Sequence, residues 1–121
     1  MRIKIRKSDN IFSLYIRTRD GHKCQRCKKV YTPPYGASLQ CSHFHRRGKE
    51  NTRHDPLNAI SLCFGCHRIW EGPTIEYRDF MLKKLGKKEF DKLQMRAETY
   101  KRRDDKLDVL YIQSLLDKII D

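Results

Sequence analysis

Between Cys41 and His67 the chain reads CSHFHRRGKENTRHDPLNAISLCFGCH, with histidines at 43, 45, 54 and 67, an asparagine at 58 and cysteines at 41, 63 and 66. Thiolates and imidazoles are ligands for transition metals, and a neutral imidazole also accepts a proton near neutral pH. Two chemistries are therefore on offer in one short stretch: a metal staple, and metal-assisted hydrolysis.

The staple is the sharper signal. Cys24-x2-Cys27 and Cys63-x2-Cys66 are two CxxC knuckles separated by 35 residues. Each knuckle turns two thiolates to one side, and two knuckles complete a tetrahedral four-thiolate shell, the closed form of structural zinc. A zinc ion so held has no open position, so it stabilises and does not catalyse. Cys41 is left over and reads as a small buried residue.

With those four cysteines spent, the histidines are free for other work. His67 directly follows Cys66, so the second knuckle fixes where its imidazole points. His43 and Asn58 lie inside the segment threaded between the knuckles. A neutral imidazole with one or two oxygen ligands makes an open site for a hard or borderline divalent ion. A second imidazole nearby can act as general base on water. Together these are what phosphodiester hydrolysis needs.

The surrounding elements must position these groups. SDNIFSLYIRTRDG reads as a helix capped by Ser8 or Asp9, with Phe12, Tyr15, Ile16 and Arg19 on one face and Gly21 as its stop. YTPPYGAS is a loop, and LQCSHF is a short strand. Strand alternation places His45 on the face of His43. HRRGKENTRHDP is a polar loop leading towards a second strand, with His54 exposed in it. PLNAISLCFGCHRIWEG begins irregular and becomes helical near Cys63, ending at Gly72-Pro73. Three helices follow. Their apolar faces are Ile75, Phe80, Leu82 and Leu85, then Phe90, Leu93 and Ala97, then Leu107, Leu110, Tyr111, Ser114 and Leu115. The order is α–β–β–α and then three helices: an α+β chain, read as one domain over 1–121. Residues 1–20 are a basic segment and helix, 21–72 the stapled core and 73–121 a helical extension. The last helices are expected to pack back on the first.

The charge is lopsided. The net is +12, yet residues 1–72 carry 15 Lys/Arg against 5 Asp/Glu, while the remainder carries 12 against 10. The positive field sits on the Cys/His-rich part and favours a polyanion, most simply nucleic acid. There is no apolar run of transmembrane length and no signal-peptide pattern, so no membrane partner is expected. A reducing cytoplasm suits unpaired CxxC motifs.

LQCSHF…DPLNAISLCFGCH, framed by the first CxxC, resembles the HNH endonuclease family in its zinc-bearing, bacteriophage form, over about residues 20–70. The resemblance implies a ββα-metal core and a metal-dependent DNA endonuclease, nicking or cutting both strands. It implies His43 as general base and Asn58 as support for the site or its metal. It also implies His67 as ligand of one divalent ion, such as Mg²⁺ or Mn²⁺, on the scissile phosphate. Many members carry Asp before the first histidine, where this chain has Ser42. Either the ion is held more loosely, by His67 with backbone or water, or Ser42, His45 or Asp55 completes the shell. Arg46, Arg47 and Arg53 are expected to contact DNA phosphates. A phage protein would work in the cytoplasm of a bacterial host, with a packaging or recombination protein as a further partner. Two alternatives stand beside this one: a zinc-stapled DNA-binding module without catalysis, and a structure-specific recombination nuclease.

Overall fold

The computed structural model describes residues 4–72 and 74–120. Pro73, the expected helix stop, lies outside them. Helix α1 spans Lys7–Arg19, strand β1 Leu39–His43, strand β2 Ala59–Cys63 and helix α2 Phe64–Ile69. Helices α3 (Ile75–Leu85), α4 (Lys87–Glu98) and α5 (Asp105–Ile119) follow. The structure is α+β, with the expected order of elements.

β1 and β2 form a two-stranded antiparallel sheet in which His43 pairs with Ala59 and Ser42 with Ile60. The run AISLC is therefore a strand from Ala59, where an irregular lead-in is expected. It lies between two packed layers, so Ala59 to Leu62 are all buried without alternation, Ser61 with its hydroxyl bonded to the Lys23 carbonyl.

Each face of the sheet carries its own core. Ile60 and Leu62 pack with Phe44, Trp70, Tyr77, Met81 and Phe90, the side of α3 and α4. Ala59 packs with Phe12, Tyr15, Ile16, Ile112 and Leu116, the side of α1 and α5. Gly86 joins α3 to α4 at φ +82°, a backbone state that favours glycine.

α1 begins one residue before Ser8, and Asp9 sits in its first turn, accepting the Arg6 N–H at 2.8 Å. Ser8 donates its hydroxyl to Asp105, which joins the start of α1 to the start of α5. The C-terminal helix does pack back on the first helix, but with a different phase from the expected one. Asp108, Ile112 and Leu116 are buried, whereas Leu107, Leu110 and Tyr111 are exposed. The buried stripe includes a carboxylate, which His54 and Arg103 hydrogen-bond, and hydropathy alone assigns such a residue to solvent. In α3 the buried pair is Tyr77 and Met81. Phe80, Leu82 and Leu85 are partly buried and Ile75 is exposed. Phe90, Leu93 and Ala97 of α4 are buried as expected.

Candidate metal centre and adjoining cleft

The four knuckle cysteines meet. Cys24, Cys27, Cys63 and Cys66 place their Sγ atoms within 4.8 Å of one another. Cys27 Sγ lies 3.9 Å from Cys63 Sγ, close to the roughly 3.8 Å edge of a tetrahedron with Zn–S near 2.3 Å. Backbone N–H groups of Cys27 and Cys66 point at the Sγ of Cys24 and Cys63, at 3.5 and 3.4 Å. Such donors favour thiolate over thiol. The cluster can hold a metal ion and closes the β2–α2 junction onto the first knuckle.

Beside it lies a cleft of about 660 Å³ between α1 and the sheet. His43 and His67 both line it, with Arg17, Gln40, Arg46 and Arg47 among the other walls. The two imidazoles are anchored through opposite ring nitrogens. His43 donates from Nε2 to the Arg53 carbonyl at 2.9 Å, which leaves Nδ1 as its free lone pair. His67 donates from Nδ1 to the Gln40 side-chain oxygen at 2.6 Å, which leaves Nε2 free. A partner that fixes the tautomer in this way is the usual companion of a metal-binding or proton-accepting histidine. Burial lowers the pKa of both rings, that of His43 to about 4, so both are neutral at neutral pH.

Gln40 does not stand out in the sequence. The only signal is its place in β1, next to the Cys41–His43 run and within reach of α2. Cys41 lines the cleft too, but burial pushes its thiol up to about 12, so it is no nucleophile at neutral pH.

Several expected site residues sit elsewhere. Ser42 points to the opposite face of the sheet and shares a hydrogen bond with the Tyr77 hydroxyl at 2.8 Å; alternation turns it away from His43. His45 is not in the cleft. β1 ends at His43, so alternation no longer applies, and the His45 ring packs on Phe44 with Nε2 buried and unpartnered. Asp55 caps the 3-10 turn at Pro56–Asn58 and pairs with Arg96 at 2.8 Å. None of the three is placed to ligate an ion beside His67.

Asn58 is wholly buried. Its amide donates to the carbonyls of His45 and Thr52, and its oxygen accepts the His45 N–H, at 2.8 to 3.0 Å. It ties down the loop that follows His43 and is not among the residues that line the cleft.

Arg53 and His54 are buried as well, against the expectation of a solvated loop. Arg53 gives Nε and Nη2 to the Asp9 carboxylate at 2.9 and 2.6 Å, and Nη1 to Glu50 at 3.3 Å. His54 bridges Asp9 and Asp108 at 2.9 and 3.1 Å. Asp9, although buried, is held far below the usual carboxylate range by its bonds from Arg53, His54 and the Arg6 N–H. The Arg53 guanidinium is consumed inside the fold and cannot meet a phosphate. Arg46 and Arg47 do face the cleft, and neither side chain has a carboxylate partner among the described residues.

Among the described residues no helix is long and apolar enough to cross a membrane. No family model matches the chain, and no curated protein and no solved structure matches it.

Proposed function

We propose that the protein is a metal-dependent DNA endonuclease of the HNH kind, stapled by a structural zinc ion in the four-cysteine cluster. The observation that carries this reading is the pair of complementary tautomers: His43 Nδ1 and His67 Nε2 are both left unprotonated on residues that line one basic cleft. The order β1–β2–α2, with His43 at the end of β1 and His67 on α2, agrees with the resemblance noted above.

In this reading His43 Nδ1 takes a proton from water as that water attacks the phosphorus. The Arg53 carbonyl holds the ring in the required tautomer and accepts the Nε2 hydrogen more strongly as the ring becomes cationic. His67 Nε2 would hold a divalent ion, which would supply charge neutralisation at the phosphate and at the leaving 3′ oxygen. Gln40 orients His67. Arg46 and Arg47 bind flanking phosphates. With Ser42, His45 and Asp55 turned elsewhere, water and phosphate oxygens would complete the shell beside His67, a permissive set open to Mg²⁺, Mn²⁺ or similar ions. Such an enzyme works where DNA is accessible, in the cytoplasm of a bacterial host.

The engagement of Ser42, His45 and Asp55 elsewhere in the fold favours a second reading, a zinc-stapled DNA-binding module without catalysis. One experiment separates the two. Supercoiled plasmid is incubated with purified protein alone and then with Mg²⁺, Mn²⁺ or Ni²⁺. Metal-dependent open-circle or linear product, lost in His43→Ala, supports the nuclease. Tight, salt-sensitive DNA binding with no product under any ion supports the binding module.

A further inference from the structure

The cleft has a wall that the ββα unit does not supply. Asn10, Ser13 and Arg17 of α1 all line it, at i, i+3 and i+7 on one helix face. Their neighbour Ser8 is engaged by Asp105, and Asp9, which also borders the cleft, has its carboxylate taken up by Arg53 and His54. By contrast, the side chains of Asn10 and Ser13 have no hydrogen-bond partner among the described residues.

Arg17 is placed in advance. Its Nε donates to the Ser13 carbonyl at 3.2 Å and its Nη1 to the Leu39 carbonyl at 3.4 Å. Its Cζ sits 4.6 Å from the centroid of the buried Tyr35 ring, which backs the planar group. No carboxylate partners it among the described residues, and Nη2 makes no bond there. A guanidinium stacked on a ring and oriented by carbonyls, with free donors turned to a cleft that already holds Arg46 and Arg47, has the geometry that selects phosphate.

We propose that the Asn10–Ser13–Arg17 row binds the sugar–phosphate backbone of a DNA strand lying in the cleft, with Arg17 as its phosphate-contacting residue. Amide, hydroxyl and guanidinium groups are the side chains that hold a nucleic-acid backbone without reading its bases. α1 is then the second jaw of the substrate cleft as well as a structural brace. The proposal rests on reading the cleft as a phosphodiester site. The competing role for Arg17 is purely local: a cation in the last turn of α1, favourable to the helix dipole.

The test is fluorescence anisotropy with a short fluorescein-labelled duplex, using the zinc-loaded full chain without added divalent ion and over a series of salt concentrations. Arg17→Met is expected to weaken binding by about tenfold, the scale of one lost charge-assisted contact. It should also reduce the salt slope by about one. Arg17→Lys should keep the slope and recover part of the affinity. Asn10→Asp is the control for folding: Asn10 is exposed, and an acid near the start of α1 suits the helix. It should weaken binding several-fold, by setting a carboxylate against the strand. Wild-type affinity and slope in both Arg17→Met and Asn10→Asp would overturn the proposal, whatever happens to Tm. Binding is read apart from cleavage. Weaker binding in the variants of a protein that never cuts would retain this inference and remove the nuclease. Unaltered binding in variants of a protein that does cut would do the reverse.

Discussion

Arg53 meets two functional parts of the molecule at once: its carbonyl accepts the His43 Nε2 hydrogen at 2.9 Å, while its guanidinium grips Asp9 at 2.6 Å. The orientation of the proposed base is thus set by the seating of α1. A residue that looks like a loop cation in sequence is the hinge pin between the brace and the site.

Arg53→Ala is therefore expected to unseat the fold. It leaves the Asp9 carboxylate buried without its main partner, a change that costs about 3 to 5 kcal/mol. Arg46→Ala, at an exposed and unpaired position, should change stability by less than about 0.5 kcal/mol and instead weaken DNA binding. Urea denaturation of the two variants side by side checks this. Equal stabilities would mean that the Asp9–Arg53 pair contributes little.

His43→Ala should lower the cleavage rate by about 10²- to 10⁴-fold, the usual contribution of a general base. Zinc content and the far-UV circular dichroism spectrum should stay as in the wild type. Loss of zinc or cooperative folding in this variant would make His43 a structural residue.

The pH dependence follows from the burial of His43. Its folded pKa lies near 4, below the ordinary 6.5, so the ring stays neutral in the fold at pH values where an exposed histidine is charged. The unfolded chain takes up the proton first. Neutral His43 thus contributes stability that is complete above the unfolded value and lost as pH falls from about 6.5 towards 4. Asp9, whose pKa is also depressed, adds stability that is lost only on further acidification below 3.8. The acid limb of kcat/KM should accordingly sit below 6.5. A limb at or above that value would exclude His43 as the titrating base.

Gln40 should govern metal affinity through His67. Gln40→Leu removes the acceptor that fixes the ring, with an expected loss of about 10- to 100-fold in affinity for Mn²⁺. Gln40→Glu keeps an acceptor in place and should retain or tighten binding. Isothermal titration of Mn²⁺ into the zinc-loaded protein reads this directly, without reference to cleavage. Identical affinities in all three proteins would detach Gln40 from the metal.

Cys66→Ala, or chelation of the staple ion, should abolish cooperative folding, because binding a structural metal is part of the folding free energy. Thermal melts with and without chelator show it. A variant with an unchanged melting curve would exclude the cluster as a staple.

The features legible in the sequence were those written in local spacing. The two CxxC knuckles and the Phe12–Tyr15–Ile16 face of α1 follow from intervals along the chain, whereas the His43/His67 pair comes from the resemblance. What stayed hidden depends on partners distant in sequence. Arg53 and His54 look solvated because their polar loop gives no hint that Asp9 and Asp108 arrive from both ends of the chain to hydrogen-bond them. The α5 face was misphased for the same reason, since a buried aspartate occupies the place hydropathy gives to a leucine. Ser42 and His45 leave the cleft for different reasons: alternation within β1 turns Ser42 away from His43, and β1 stops at His43, so alternation does not reach His45. Gln40 and Arg17 acquire roles only once β1, α1 and α2 surround one cleft.

The packing of α5 on α1 also imposes an order in time. Phe12 and Ile16 share their core with Ile112 and Leu116, and His54 shares its carboxylates between Asp9 and Asp108. On a ribosome adding roughly 5 to 20 residues per second, the knuckles, both strands and both histidines emerge well before Asp108. Until then α1 lacks most of the surface it docks on, and the cleft lacks its second jaw. In the proposed reading, His43, His67, Arg46 and Arg47 are thus made early, but the cleft that would seat a strand against them is completed only when α5 emerges.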